Sequence, residues 1–324
     1  MSGQTGGVTV TGASGVVGRA VVRQLVEAGR PCTAFVRRAT TVAGARTIVG
    51  HLGDDASVRR AVEGADAVVH AAGLAHAAGL RAPHLYAQVN TDGTRTVAEA
   101  AARAGVERFV LISTAAVYGP NREAPSEDAP PRPVSAYACS KLAAEREAED
   151  VAARTGMRLV VLRPPVVVGP GDPGSIAALG RLLARGRFVW VGAGRTRKML
   201  IDVDDLARAC LAQVDGGPAA TATFNTGGCC VTLADLVHAL ARELDVRPSR
   251  LRVPEPVAHV ALAAARPLGA LAPVRTARAR LGAWLSEDVQ DARRYEAAFG
   301  PASRVPWTDS VAREARWLRM EDAS

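Results

Sequence analysis

The chain has 324 residues, 48% of them hydrophobic, with 40 Lys plus Arg against 32 Asp plus Glu and a net charge of +8. That much apolar side chain fills a large core and excludes a disordered or low-complexity chain. The basic residues are spread widely among alanines and only 4% of residues are aromatic, so the charge reads as a solvated surface and no nucleic-acid partner is expected. In chain order, the apolar run VTVT opens an alternation of strands and amphipathic helices: helix 15–29, TAFVR, RTIVG, helix 55–63, AVVHAAG, helix 85–104, RFVLIS, helix 137–155 and RLVVLRPP. This rhythm implies right-handed βαβ units and a parallel sheet buried on both faces. After VVVGPGDPG at 166–174 it fades into helix 175–185, strand RFVWVG, the basic loop GRTRK and LIDVDDLARACLA. The expected fold is α/β, a Rossmann-type doubly wound parallel sheet with a smaller, discontinuous substrate-binding α/β domain. Residues 1–170 plus about 205–235 are assigned to the first and about 171–204 plus 236–324 to the second, packed over the carboxyl ends of the strands.

The longest apolar stretch, 256–274, is interrupted by Arg266, Pro267 and Pro273, which argues against a spanning helix. No charged and apolar leader pattern opens the sequence, and a cytoplasmic location with no membrane partner is expected. Five cysteines in no C-x-x-C or Cys/His spacing point to neither a disulfide framework nor a metal site, and Cys229 and Cys230 are placed in a strand-to-helix loop.

Two motifs carry chemistry. In TGASGVVG, directly after the first strand, Gly12, Gly15 and Gly18 let backbone N–H groups and a helix N-terminus approach a pyrophosphate, with Ser14, Val16 and Val17 on the same turn. In SAYACSK, Tyr137 and Lys141 stand four apart and project from one face of a helix. A tyrosine acting as general acid/base near neutral pH needs about 4 kcal/mol of phenolate stabilisation, which a nearby ammonium and an oxidised nicotinamide supply in the right sign. Phosphate cradle and Tyr-x-x-x-Lys together read as nicotinamide redox chemistry.

The chain resembles the extended short-chain dehydrogenase/reductase family, which contains UDP-galactose 4-epimerase, sugar-nucleotide dehydratases and 4-ketoreductases. The likeness runs through TGASGVVG, VVHAAGLAHA, VNTDGT, RFVLISTAAVYG, SAYACSK, LRPPVVVGPGD, LIDVDDLA and FNTGG. It implies that Lys141 also orients the nicotinamide ribose and that Thr114, counted back from VYG, shares the substrate oxygen with Tyr137. It further implies a cofactor lying along Leu52, Ala71, Ala72, Gly73, Pro164, Val166 and Val167. Family 4,6-dehydratases carry an Asp-Glu pair after this threonine where Ala115 and Ala116 stand here, so dehydration is not expected. Arg37 and Arg38 occupy the place where an acidic residue would bind the adenosine ribose of NAD, which favours NADP while leaving NAD open.

On the substrate side, Lys198 aligns with an epimerase arginine on the UDP diphosphate, with Arg197 beside it and Arg280 as a second candidate. His76, Asn90, Ala115 and Ser175 are placed in the sugar pocket. The expected activity is hydride transfer at a sugar-nucleotide ring carbon, C4 above others, by a reductase or an epimerase. A reductase of a non-nucleotide ketone and a non-catalytic NAD(P)H sensor are the alternatives. Family members pair helices into a homodimer, and the alanine-rich faces of 95–104 and 142–154 allow it.

Overall fold

The computed structural model describes residues 7–74, 82–120, 123–172, 174–264, 282 and 285–322. Seven strands form a parallel sheet: β1 Gly7–Thr11, β2 Cys32–Val36, β3 Arg46–Val49, β4 Ala65–His70, β5 Arg108–Ile112, β6 Arg158–Arg163 and β10 Ala222–Asn225. Their order is β10-β6-β5-β4-β1-β2-β3. From β1 the chain winds outward to β3, then crosses back to β4 and winds the other way, so the winding reverses between β1 and β4. Doubly wound sheets bind ligands at that reversal.

Helices cover both faces. α1 (Val16–Glu27) and α7 (Val203–Gly216) lie on one, and α2 (Asp55–Val62), α4 (Gly93–Arg103) and α5 (Ala136–Thr155) on the other. The strands are valine- and leucine-rich with almost every position buried, as a sheet covered on both sides requires. Val10, Val110 and Val160 face one core, while Val68, Phe109, Leu159 and Val161 face the other.

The expected helix 85–104 is one helical path with an irregular middle. A four-residue α3 (Pro83–Tyr86) leads into a π-helical turn, Ala87–Asp92, and then α4. The wide turn brings Asn90 and Thr94 inward beneath the sheet edge, where both are 1% exposed.

A second, three-stranded sheet is built from strands that follow β6 and β10 in the chain. β7 (Val166–Val168) pairs in parallel with β9 (Arg197–Asp202), and β9 pairs antiparallel with β11 (Cys229–Thr232). Cys229 and Cys230 therefore lie in a paired strand, correcting their expected loop position: the run CCVT extends opposite RKML. β8 (Trp190–Val191) pairs with β12 (Arg252–Val253). α6 (Ser175–Ala184), α8 (Leu233–Leu244) and the C-terminal α11 (Trp307–Asp322) enclose a third core around Leu179, Phe188, Leu236, Leu240 and Val311. α9 (Glu255–Ala264) and α10 (Arg293–Phe299) complete the described helices of this part. Among the described residues no helix is long and apolar enough to cross a membrane.

Candidate active site

In-register pairing of β1 with β4, β4 with β5 and β5 with β6 brings Thr11, His70, Ile112 and Arg163 to one edge, so the segments that follow them converge. The first is the glycine turn. Gly12 has φ +67°, and a Cβ there would sit 2.7 Å from the Ala72 Cα. A Cβ on Gly18 would lie 2.2 Å from the Gly12 carbonyl oxygen, so helix and turn pack with no room for a side chain. Gly15 is the N-cap of α1, no side chain caps that end, and the first turn holds no acidic residue. Free amides at a positive helix end, beside a turn closed to Cβ atoms, fit a dinucleotide pyrophosphate. Ser14 and Gly15 are exposed, and Val16 and Val17 are half-buried against the core.

Arg37 and Arg38 follow the buried end of β2 and are both exposed, with no carboxylate at the strand end itself. Leu52 is half-buried and packs where a Gly93 side chain would be. The Ala71 and Ala72 amides donate to the Thr11 carbonyl and Thr11 Oγ1, both at 3.3 Å, which fixes the β4 loop against the glycine turn. Gly73 is exposed. Pro164 is buried and accepts from the Ala115 amide at 2.8 Å, while Val166 and Val167 stand half-buried on β7.

The second convergence joins the start of α5 to the end of β5. Ser135 caps α5 by accepting from the Ala138 amide at 3.1 Å, so the helix starts at Ala136, one residue before Tyr137. The Thr114 side chain, at the end of β5, acts on the Tyr137 hydroxyl and lowers its proton affinity. One turn along, Lys141 is 6% exposed and its Nζ donates to the Ile112 carbonyl at 2.5 Å. Burial pulls the Lys141 ammonium down to about 8, with the Glu145 carboxylate opposing. Burial pushes Tyr137 up to about 12 despite Thr114, and Asp172 and Tyr86 push the same way. Desolvation is the largest of these influences and favours the neutral phenol.

Three neighbours were not foreseen. Tyr86 packs edge-on against Tyr137, ring centroids 6.2 Å apart. Asp172, in the loop after β7, is pushed by burial up to about 6. Glu145 is 1% exposed, one turn beyond Lys141. Only Glu145 left a sequence signal, an acid at i+4 from the lysine.

The substrate-side residues divide. Asn90 spends its carboxamide on the chain itself, accepting from the Leu74 amide at 2.7 Å and donating to Ser140 Oγ at 2.9 Å. Ala115 is buried, and Ser175 is exposed at the start of α6. Arg197 Nε pairs with Glu287 at 2.7 Å. Lys198 is 9% exposed and donates to the Ser286 carbonyl at 2.6 Å; burial lowers the pKa of its ammonium, with Asp288 and Glu287 opposing. His76 and Arg280 lie outside the described residues. Among the described residues no group of three or more His, Cys, Asp or Glu is arranged to hold a metal ion.

Comparison with known proteins agrees with this geometry. Residues 8–227 match the model of the NAD dependent epimerase/dehydratase family. Ceramide reductase of Caulobacter vibrioides is 31% identical over 260 residues, 78% of this chain and 74% of that protein. UDP-glucose 4-epimerase of Vibrio cholerae is 29% identical over 265 residues, covering 76% and 78% of the two chains. The solved structure of MoeE5 in complex with UDP-glucose and NAD superposes with a TM-score of 0.78 at 28% identity, covering 98% of this chain and 99% of the other. The chain belongs to the NAD dependent epimerase/dehydratase family, among the extended short-chain dehydrogenases/reductases.

Proposed function

We propose that the protein transfers hydride between a bound nicotinamide dinucleotide and an oxygen-bearing substrate carbon, with Tyr137 as acid/base. Thr114 shares the substrate oxygen, and Lys141 supplies positive charge and orients the cofactor ribose. The observation that carries this reading is the Thr114–Tyr137 hydroxyl pair, with a buried ammonium one helical turn away, on the edge where the glycine turn opens. When bound, the dinucleotide supplies or accepts the hydride. A phenol held near 12 is in its acid form at neutral pH, which suits protonating a carbonyl oxygen during reduction. Ala115 and Ala116 offer no side chain to eliminate water, so dehydration is not part of the proposal.

NADP is the proposed dinucleotide, because Arg37 and Arg38 suit a 2′-phosphate, although the MoeE5 complex is one with NAD. Residues 1–170 and about 205–235 form the dinucleotide body, with about 171–204 and 236–324 forming the substrate body. The sheet of β7, β9 and β11 joins them. A homodimer would form through α4 and α5.

For the substrate, a nucleotide diphosphate sugar reacting at C4 is the first reading, with Arg197 and Lys198 facing the diphosphate. A ketone without a nucleotide is the second. One observation favours it: Glu287, Asp288 and the Ser286 carbonyl already satisfy both cations. The ceramide reductase likeness points the same way.

The test is oxidation of NADPH and NADH with 4-keto nucleotide sugars and with long-chain ketones. Lower KM for NADPH is expected, and an NADH preference would overturn the assignment. Lys198→Gln should raise KM for a nucleotide substrate at least tenfold, about 1.4 kcal/mol. An unchanged KM selects the second reading. Turnover without added reductant would mark an epimerase.

A further inference from the structure

From its N-cap onward, α1 carries Gly15, Arg19, Arg23 and Glu27 at four-residue spacing, so these residues share one face, and all of them are exposed. Arg23 is used by the fold: it pairs with Glu27 at 3.2 Å and with Asp204 at 2.6 Å. Arg19 is not. Among the described residues no carboxylate lies within 4.0 Å of its guanidinium.

The position makes an unpaired cation unfavourable. The Arg19 amide closes the first turn of α1, donating to the Gly15 carbonyl at 2.9 Å, and that turn holds no acidic residue. The dipole of α1 is positive at this end and favours an anion there. Helical side chains lean toward the N-terminus, so the Arg19 side chain covers the Gly15 end of the helix, where the glycine turn opens.

Across the edge the guanidinium meets the loop after β7. Gly171 in that loop has φ +90°, and a Cβ on it would sit 2.6 Å from Arg19 Nη2. A glycine thus leaves the space that the guanidinium fills. The side chain reaches from the helix of the glycine turn to the segment that follows Val166 and Val167, two stretches both expected along the dinucleotide.

We propose that Arg19 is a phosphate-binding residue of the dinucleotide site, a guanidinium held over the Gly15 end of α1 to pair with pyrophosphate oxygens. The proposal rests on the reading of the glycine turn as a dinucleotide cradle. Each phosphate of a pyrophosphate is negatively charged, and its oxygens match the fork of a guanidinium. Bound there, the anion relieves both the unpaired cation and the bare helix end. The pyrophosphate is common to NAD and NADP, so Arg19 gives affinity without choosing between them, and that choice stays with Arg37 and Arg38 after β2.

The test is Arg19→Gln, titrated calorimetrically with NADPH, NADH and ADP-ribose, the last of which has the pyrophosphate and no nicotinamide. All three should bind about tenfold more weakly, and by a similar factor. The ratio of NADPH to NADH affinity should stay at the wild-type value, and affinity should fall less steeply with added salt. Arg19→Lys keeps the charge without the fork and should lie between. In the ligand-free protein Arg19→Gln should melt at or above the wild-type temperature, because it takes a cation away from a positive helix end. Weaker binding together with a lower melting temperature would mean a structural role and overturn the proposal. Native affinity for ADP-ribose, or a changed NADPH to NADH ratio, would overturn it as well. A wild-type protein that binds none of the three ligands would sink the cradle reading itself, whereas a wild type that binds and a variant that binds equally well removes only the role of Arg19.

Discussion

At the scale of the residue, the proposed chemistry turns on Tyr137. Its hydroxyl meets Thr114, and its high proton affinity comes from desolvation. Replacing it with phenylalanine removes one oxygen and leaves the ring packing against Tyr86 intact. Tyr137→Phe should therefore lose at least ~100-fold in turnover, the usual worth of a general acid, while cofactor affinity holds. Stopped-flow single turnover and a fluorescence titration with NADPH separate the two, and normal turnover would remove Tyr137 from the mechanism. The placing of Tyr137 and Lys141 on one helix face, with Thr114 at the end of β5, was legible in the sequence because it is written in a short spacing and a strand end. Asp172 and Tyr86 were not, because they reach the phenol through the loop after β7 and the start of an irregular helix, where local pattern carries no direction. The depth of burial that raises the Tyr137 proton affinity was also hidden, because sequence spacing names neighbours on the helix but not how far they lie from water.

At the scale of the element, the glycine turn and α1 work as one unit. Gly12 adopts a left-handed φ, and Gly18 packs its Cα against the Gly12 carbonyl, so both are held by backbone approach and not by side-chain chemistry. Gly18→Ala would force a Cβ to 2.2 Å from that oxygen, and α1 must move away from the turn. The expected result is a weakening of dinucleotide affinity by tenfold or more with a loss of about 1–3 kcal/mol in stability, since the same contact seats α1 on the sheet. Calorimetric titration and thermal melting measure the two, and native affinity would show that α1 need not be seated so closely. Strands and helices of the sheet were legible because buried parallel strands read as apolar runs. Where strands are short and paired across the chain, as in β7, β9 and β11, the partner decides the conformation. That is why Cys229 and Cys230 became strand.

At the scale of the whole molecule, the C-terminal helix α11 is tied through the β9–α7 junction to α1. Arg313 pairs with Asp202 and, at 2.8 Å, with Asp204, and Asp204 pairs with Arg23 of α1 at 2.6 Å. The neighbouring Glu314 is fully buried, and neither carboxylate oxygen has a partner among the described residues. Burial, with Asp172 adding to it, pushes this carboxyl up to about 8. The native protein thus holds a proton on Glu314 that the unfolded chain gives up near the ordinary glutamate value. Its favourable contribution is complete below about pH 4.5 and is lost as pH rises to about 8, above which the loss is constant. His70 acts in the opposite sense: held near 3 when folded, it costs stability as pH falls below about 6.5 because the unfolded chain takes the proton first. Glu314→Gln keeps the shape of the protonated acid and cannot ionise, so it removes the alkaline loss and leaves the His70 slope. Its stability advantage over wild type, from denaturant unfolding, should grow by roughly 3 kcal/mol between pH 5 and pH 8. An advantage that stays constant across that range would mean the carboxylate is ionised and solvated at neutral pH, and α11 would then not pack against α8 and α6 as tightly as Glu314 implies.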